Sequence, residues 1–143
     1  MSADQVRVTI EANNLHTIGQ NLAEFENIVV PEPIDDFTTT RVLTMEYISG
    51  KKITALNPLR LLEIEGGLLA DELFRAYLNQ FLIDGFFHAD PHPGNVFITD
   101  DNRIALLDVG MVGRMTRTFQ DNLLRLLLAI SEGRGEMAAQ AAI

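Results

Sequence analysis

The stretch that most constrains this chain is GFFHADPHPGNVFI, Gly85 to Ile98. Pro91 and Pro93 fix their own φ and push Asp90 and His92 out of the helical region. No regular helix runs through such a segment. The polar groups of His88, Asp90, His92 and Asn95 are therefore held in a narrow set of directions. Taken alone, the segment reads either as a site or as a tight loop.

Its flanks supply the frame. Before it, Leu73, Phe74, Tyr77, Leu78, Phe81 and Leu82 recur at helical spacing, which predicts a helix from about Leu69 to Gly85 with that stripe inward. After it, VFIT and RIALLDV bracket the polar turn Asp100-Asp101-Asn102 and predict a two-strand hairpin. A last long helix is expected to start near Thr116 or Thr118, either of which is a capping residue. It should carry Phe119, Leu123, Leu126, Leu127 and Ile130 inward and be interrupted at Gly133-Arg134-Gly135.

The first half is less regular. Leu15, Ile18, Leu22 and Phe25 predict an amphipathic helix over roughly Thr9–Phe25, with Asn14, Thr17, Gln20 and Glu24 off the apolar stripe. Ile28–Val30 reads as a short strand before Pro31, RVLTMEYI (Arg41–Ile48) as a second, and Leu59–Ile64 as a short helix. Three to five short strands among four or five helices make an α+β chain. The repeated strand–helix units of a doubly wound sheet are not there.

Composition narrows the function classes. The 143 residues are 47% hydrophobic and carry a net charge of −9, so a packed core is expected and nucleic-acid binding is not. Without cysteine there is neither a disulfide framework nor a thiolate nucleophile or ligand. LLRLLLAI (Leu123–Ile130) is too short to span a bilayer and contains Arg125. The start of the chain lacks a signal-peptide pattern. Cytoplasmic or peripheral-membrane placement is the expectation.

The chemistry lies in Asp90, Asn95 and Asp108. Asp90 precedes Asn95 by five residues, and Asp108 follows the hairpin. A turn-held carboxylate can orient a hydroxyl or water, while an amide oxygen and a second carboxylate suit Mg²⁺, which prefers oxygen ligands. Gly110 permits the bend that returns the strand end to the loop. An Asp-x-x-x-x-Asn loop, a hairpin and an Asp-x-Gly turn form the layout of a protein-kinase core.

Across nearly its whole length the chain resembles the ABC1 family, also called UbiB or ADCK, of atypical kinase-like proteins. GFFHADPHPGN and LLDVG carry the resemblance, with EANN, VPEPI, VLTMEYISGKKI and VGMVGRM in the same order. It implies a partial kinase-like fold, mostly the helical C-lobe with a few N-lobe strands. Residues up to about 48 would be a remnant of the N-lobe and hinge, and 49–143 part of the C-lobe. By the same resemblance Asp90 is the catalytic aspartate, and Asn95 and Asp108 hold Mg²⁺ and ATP. Met45 stands at the gatekeeper position, and Glu46, Tyr47 and Ile48 form the adenine-facing hinge. Val109 replaces the Phe more usual after the metal-binding Asp, keeping an apolar plug without the ring.

Several residues read two ways. Glu11 matches a family acidic residue, yet also fits as a favourable charge in a first helical turn. His88 and His92 read as braces of the loop, with Gly110 as further structural support. A zinc triad of His88, Asp90 and His92 is the competing reading, and His16 is the only further histidine to complete it.

The sequence also departs from the family. No Lys precedes Lys51, and the Ala-rich phosphate loop and Lys-x-Gly-Gln motif of the family are not found. The chain thus resembles the middle of a family domain, whose remaining N-lobe would come from a second polypeptide or a longer product. The resemblance implies ATP- and Mg²⁺-dependent chemistry linked to ubiquinone or other isoprenoid-lipid metabolism, with proteins of that pathway as partners. The alternative is a catalytically inactive scaffold.

Overall fold

A computed structural model of the chain describes residues 3–58 and 64–141. The first helix, α1 (Ala3–Asn21), begins six residues ahead of the expected Thr9 and buries Leu15 and Ile18 almost completely, as the turn after it does Leu22. It stops at Asn21 rather than Phe25. Two turns follow, in which Phe25 N–H donates to Leu22 O and Ile28 N–H to Phe25 O, folding Phe25 back against the core. Asn14, expected on the polar side, is only 5% exposed. It stands one turn ahead of Ile18 and so shares the buried face.

Strand β1 (Ile28–Val29) forms as expected and pairs in parallel with β5 (Ile104–Leu106). The anticipated strand Arg41–Ile48 does not form. Only one bridge, Pro33 to Met45, is present there, flanked by Ile34 N–H to Thr44 O and Glu46 N–H to Glu32 O, both 2.8 Å. The facing segment holds Pro31 and Pro33, which have no N–H to extend a ladder. The Thr38 hydroxyl competes as well, donating to Ile34 O and accepting from Thr44 N–H. The strand starts only beyond this segment, as β2 (Gly50–Lys52).

The expected hairpin is the centre of the sheet. Strand β4 (Val96–Thr99) pairs antiparallel with β5, Val96 opposite Leu106 and Ile98 opposite Ile104. Strand β2 pairs on its other side, giving the order β1-β5-β4-β2. Asn102 takes the positive φ of the turn, 65°, which asparagine tolerates better than most residues. Val96, Ile98, Ile104 and Leu106 meet Leu15 and Ile18 of α1, and Leu22 just beyond its end, in one core.

The expected helix Leu59–Ile64 falls largely on residues outside those described. Helix α2 (Gly66–Asn79) runs into a π-helical turn (Gln80–Asp84) and ends at Gly85, whose φ of 62° is left-handed. Its inward line is Leu69, Ala76 and Gln80, and Phe74, expected inward, is 65% exposed. A second, two-stranded sheet joins β3 (Phe86–His88) to β6 (Val112–Arg114) on either side of the hairpin in sequence.

Helix α3 (Arg117–Ser131) is capped by Thr116, whose hydroxyl accepts from Phe119 N–H. Gly133 then turns the chain into α4 (Gly135–Ala141). The inward line of α3 differs from the expected one. Gln120 and Ala129 are buried, Leu123 and Leu126 half-buried, and Phe119, Leu127 and Ile130 exposed. Gln120 accounts for the rotation, because its Nε2 donates to Phe81 O at 3.0 Å and draws that face onto the π-turn. Among the described residues no helix is long and apolar enough to cross a membrane. The architecture is α+β.

Candidate functional site

The two sheets place the site between them. Strand β3 leads into the loop, and Ala89 N–H donates to Met111 O at 2.9 Å, extending the β3–β6 pairing by one residue. His92 N–H then donates to Asp90 O at 2.7 Å, closing a tight turn in the sequence DPH. A single 3-10 turn (Pro93–Asn95) follows, with Asn95 N–H on His92 O. Leu107 N–H donates back to Asn95 O at 3.2 Å, so the end of β5 is tied to the loop.

These ties bring Asp90, Asn95 and Asp108 around one cavity of about 360 Å³, together with His88, Gly110 and Met111. Asp90 and Asp108 are exposed to it. The Asp108 carboxylate is already oriented: Oδ2 accepts from Asn95 Nδ2 and Oδ1 from Gly110 N–H, both at 3.0 Å. With its nitrogen so committed, Asn95 keeps its amide oxygen available. One amide oxygen and one carboxylate match the few protein ligands that Mg²⁺ takes when waters and phosphates fill the rest of its shell. Among the described residues no three His, Asp or Glu side chains gather as a metal cluster.

The histidines have local partners. His88 is 4% exposed; its N–H donates to Gln80 Oε1 at 2.9 Å and its ring Nδ1 meets Met111 O at 3.3 Å. It borders the cavity as well as bracing the loop. His92 Nδ1 accepts from Gly94 N–H at 3.0 Å, inside its own turn. In both rings Nδ1 is engaged with backbone.

The gatekeeper and the three hinge positions lie outside this cavity's lining. Met45 packs against the core and Glu46 borders a separate depression with Glu32, Asp35 and Asp36. Tyr47 is 87% exposed and Ile48 half-buried. A larger groove of about 790 Å³, between Glu24–Asn27 and α2, holds none of the motif residues.

Sequence reasoning missed Asn14. Its Nδ2 donates at 3.0 Å to the carbonyl of Val109, which is fully buried in the core. The available signal was the spacing to Ile18. Glu11, one turn earlier, brings its carboxyl beside Gly110: a Cβ built there would lie 3.9 Å from Glu11 Cδ. Thus α1 touches the Asp108–Gly110 turn at two residues.

Comparisons with known proteins bear on the family and the fold. Residues 5–141 match the ABC1 atypical kinase-like domain. The chain is 35% identical over 141 residues to the protein named activity of bc1 complex kinase 8, chloroplastic, of Arabidopsis thaliana, covering 97% of this chain and 18% of that one. It is 36% identical over 135 residues to the uncharacterized Synechocystis protein slr0889, covering 90% of this chain and 33% of the other. In fold it is similar to Rv3197 of Mycobacterium tuberculosis, solved with erythromycin, at a TM-score of 0.63 and 21% identity over 93% of this chain and 33% of that chain. The chain therefore spans a third or less of the length of each of these proteins. The ordered motifs, the shared cavity and the matched family domain lead to one assignment: this chain belongs to the ABC1 atypical kinase-like family.

Proposed function

We propose that this chain carries the cation-binding and catalytic-loop part of an ATP- and Mg²⁺-dependent kinase-like or ATPase-like protein. The observation that carries the reading is the convergence of Asp90, Asn95 and Asp108 on one cavity, with Asn95 bonded to Asp108. Asn95 and Asp108 would present oxygens to Mg²⁺. When bound, Mg²⁺ would neutralise charge on the phosphate oxygens and hold them in line. Asp90, exposed at the mouth of its proline-locked turn, accepts a hydrogen bond from the attacking hydroxyl or water and so turns its lone pair inward. The loop ties described above keep these groups in place before substrate arrives, and electrostatic positioning supplies most of the rate.

The strand lysine and phosphate loop that grip the nucleotide would come from a longer or second polypeptide, since no Lys precedes Lys51. The resemblance, together with the bc1-complex name of the Arabidopsis relative, supports a link of the reaction to ubiquinone or related isoprenoid-lipid metabolism. ATP binding and phosphate release, measured with that missing lobe supplied in trans, test the reading. Both should appear. A well-folded complex showing neither would contradict it.

A second reading carried from the sequence is a catalytically inactive scaffold. A complex that forms and binds nucleotide without releasing phosphate would support that one.

A further inference from the structure

The segment from Leu107 to Met111 is pinned at both ends. Leu107 N–H is held by Asn95 O, and Met111 O accepts from Ala89 N–H and meets the His88 ring. Between those pins lie Asp108, Val109 and Gly110. The peptide unit joining Val109 to Gly110 has two ends: its C=O accepts from Asn14 and its N–H donates to Asp108 Oδ1. A peptide unit is rigid and planar, so fixing the direction of the oxygen fixes the direction of the N–H. Rotation of this unit about its ends would be cheap in the absence of a restraint, because the residue that absorbs the change in φ is Gly110. Rotated, it would withdraw the N–H from Asp108 and turn a carbonyl toward the carboxylate.

We propose that Asn14 is a positioning residue: by holding the Val109 carbonyl it locks the Val109–Gly110 peptide and thereby aims the Asp108 carboxylate. It does so from α1, 95 residues away in sequence, and from a buried site, Asn14 being 5% exposed. The consequence for cation affinity rests on the reading of Asn95 and Asp108 as ligands. The consequence for Gly110 does not.

The test compares the full chain with Asn14→Leu, which keeps the branched shape and loses the donor, and with the near-isosteric Asn14→Asp should the first not fold. Leu22→Ala serves as a control that destabilises the core at the far end of α1, away from the turn, and Asp108→Ala shows the Gly110 amide without its acceptor. In the parent chain the Gly110 amide proton should resonate downfield and resist exchange, as expected of a bond to a carboxylate. In the Asn14 variants it should move to its Asp108→Ala position and lose protection, while Leu22→Ala keeps the parent position. Mn²⁺ affinity, read from the loss of the free-ion paramagnetic signal, should fall about 10- to 100-fold in the Asn14 variants, the range for residues that orient a ligand. A Gly110 amide that stays put in a folded Asn14 variant overturns the proposal, as does an equal shift in Leu22→Ala. If the amide responds as expected but the parent chain binds no Mn²⁺, the positioning stands and the cation reading falls.

Discussion

At the scale of single residues, the Asp108 carboxylate, the Asn95 amide nitrogen and the Nδ1 atoms of His88 and His92 each have a hydrogen-bond partner. Tyr77 is the contrast. Its hydroxyl is buried without a hydrogen-bond partner, and burial pushes its pKa up to about 12. Removing an unsatisfied hydroxyl while keeping the ring removes a desolvation penalty on the order of 1 kcal/mol. Tyr77→Phe should therefore raise stability by about that amount in urea unfolding. The sign of the pH effect follows from the raised value. The unfolded chain loses the phenolic proton near pH 10 and the folded chain only near 12, so stability falls as pH climbs between them. That alkaline loss should be smaller in Tyr77→Phe, and an identical profile in both proteins would contradict the burial.

Elements were legible where local chemistry decides them, and hidden where distant partners do. The hairpin, the Thr116 cap and the Gly133 break follow from turn residues and spacing, and all three form. Asp90, Asn95 and Asp108 could be picked out because prolines and a glycine surround them. Arg41–Ile48 looked like a strand by composition, yet a strand needs a partner with N–H groups, and Pro31 and Pro33 face it. Phe119 and Ile130 fitted an apolar stripe, but a buried glutamine rotated α3 away from them. Asn14 was misplaced for a related reason: its partner lies on a turn no local pattern connects to α1.

Two element-level changes test this account. Gly85 ends the π-turn at a φ of 62°, and a Cβ there would sit 3.1 Å from both Met115 O and Gln120 Nε2. Gly85→Ala should cost about 1–3 kcal/mol by thermal or urea unfolding, from left-handed strain and crowding together. Thr116→Ala should cost about 1 kcal/mol, the usual value for a lost cap. A neutral result at Gly85 would mean that the turn does not take this form.

On the scale of the whole molecule, charge and exposed apolar surface pull in opposite directions. The chain carries −9, yet Phe74, Phe119, Leu128 and Ile130 are each more than half exposed. Any attachment to a bilayer should then be apolar rather than electrostatic, because anionic lipid repels an acidic chain apart from local basic spots such as Lys51-Lys52. Flotation should show no gain from anionic over neutral liposomes. Binding that strengthens with anionic lipid and weakens with salt would show that a local basic surface outweighs the net charge.

The same scale holds the central claim, that the loop and the hairpin end form one cation site. It is tested most directly by Mn²⁺ binding to the parent chain and to Asp108→Ala, Asn95→Ala and Asp90→Ala. The account predicts binding by the parent chain. It also predicts a loss of tenfold or more, roughly the value of a charged ligand contact, in Asp108→Ala and a smaller loss in Asn95→Ala. Asp90→Ala should change affinity least, since Asp90 is assigned to the attacking group. Equal affinity in the parent chain and Asp108→Ala, with both folded, would contradict the account.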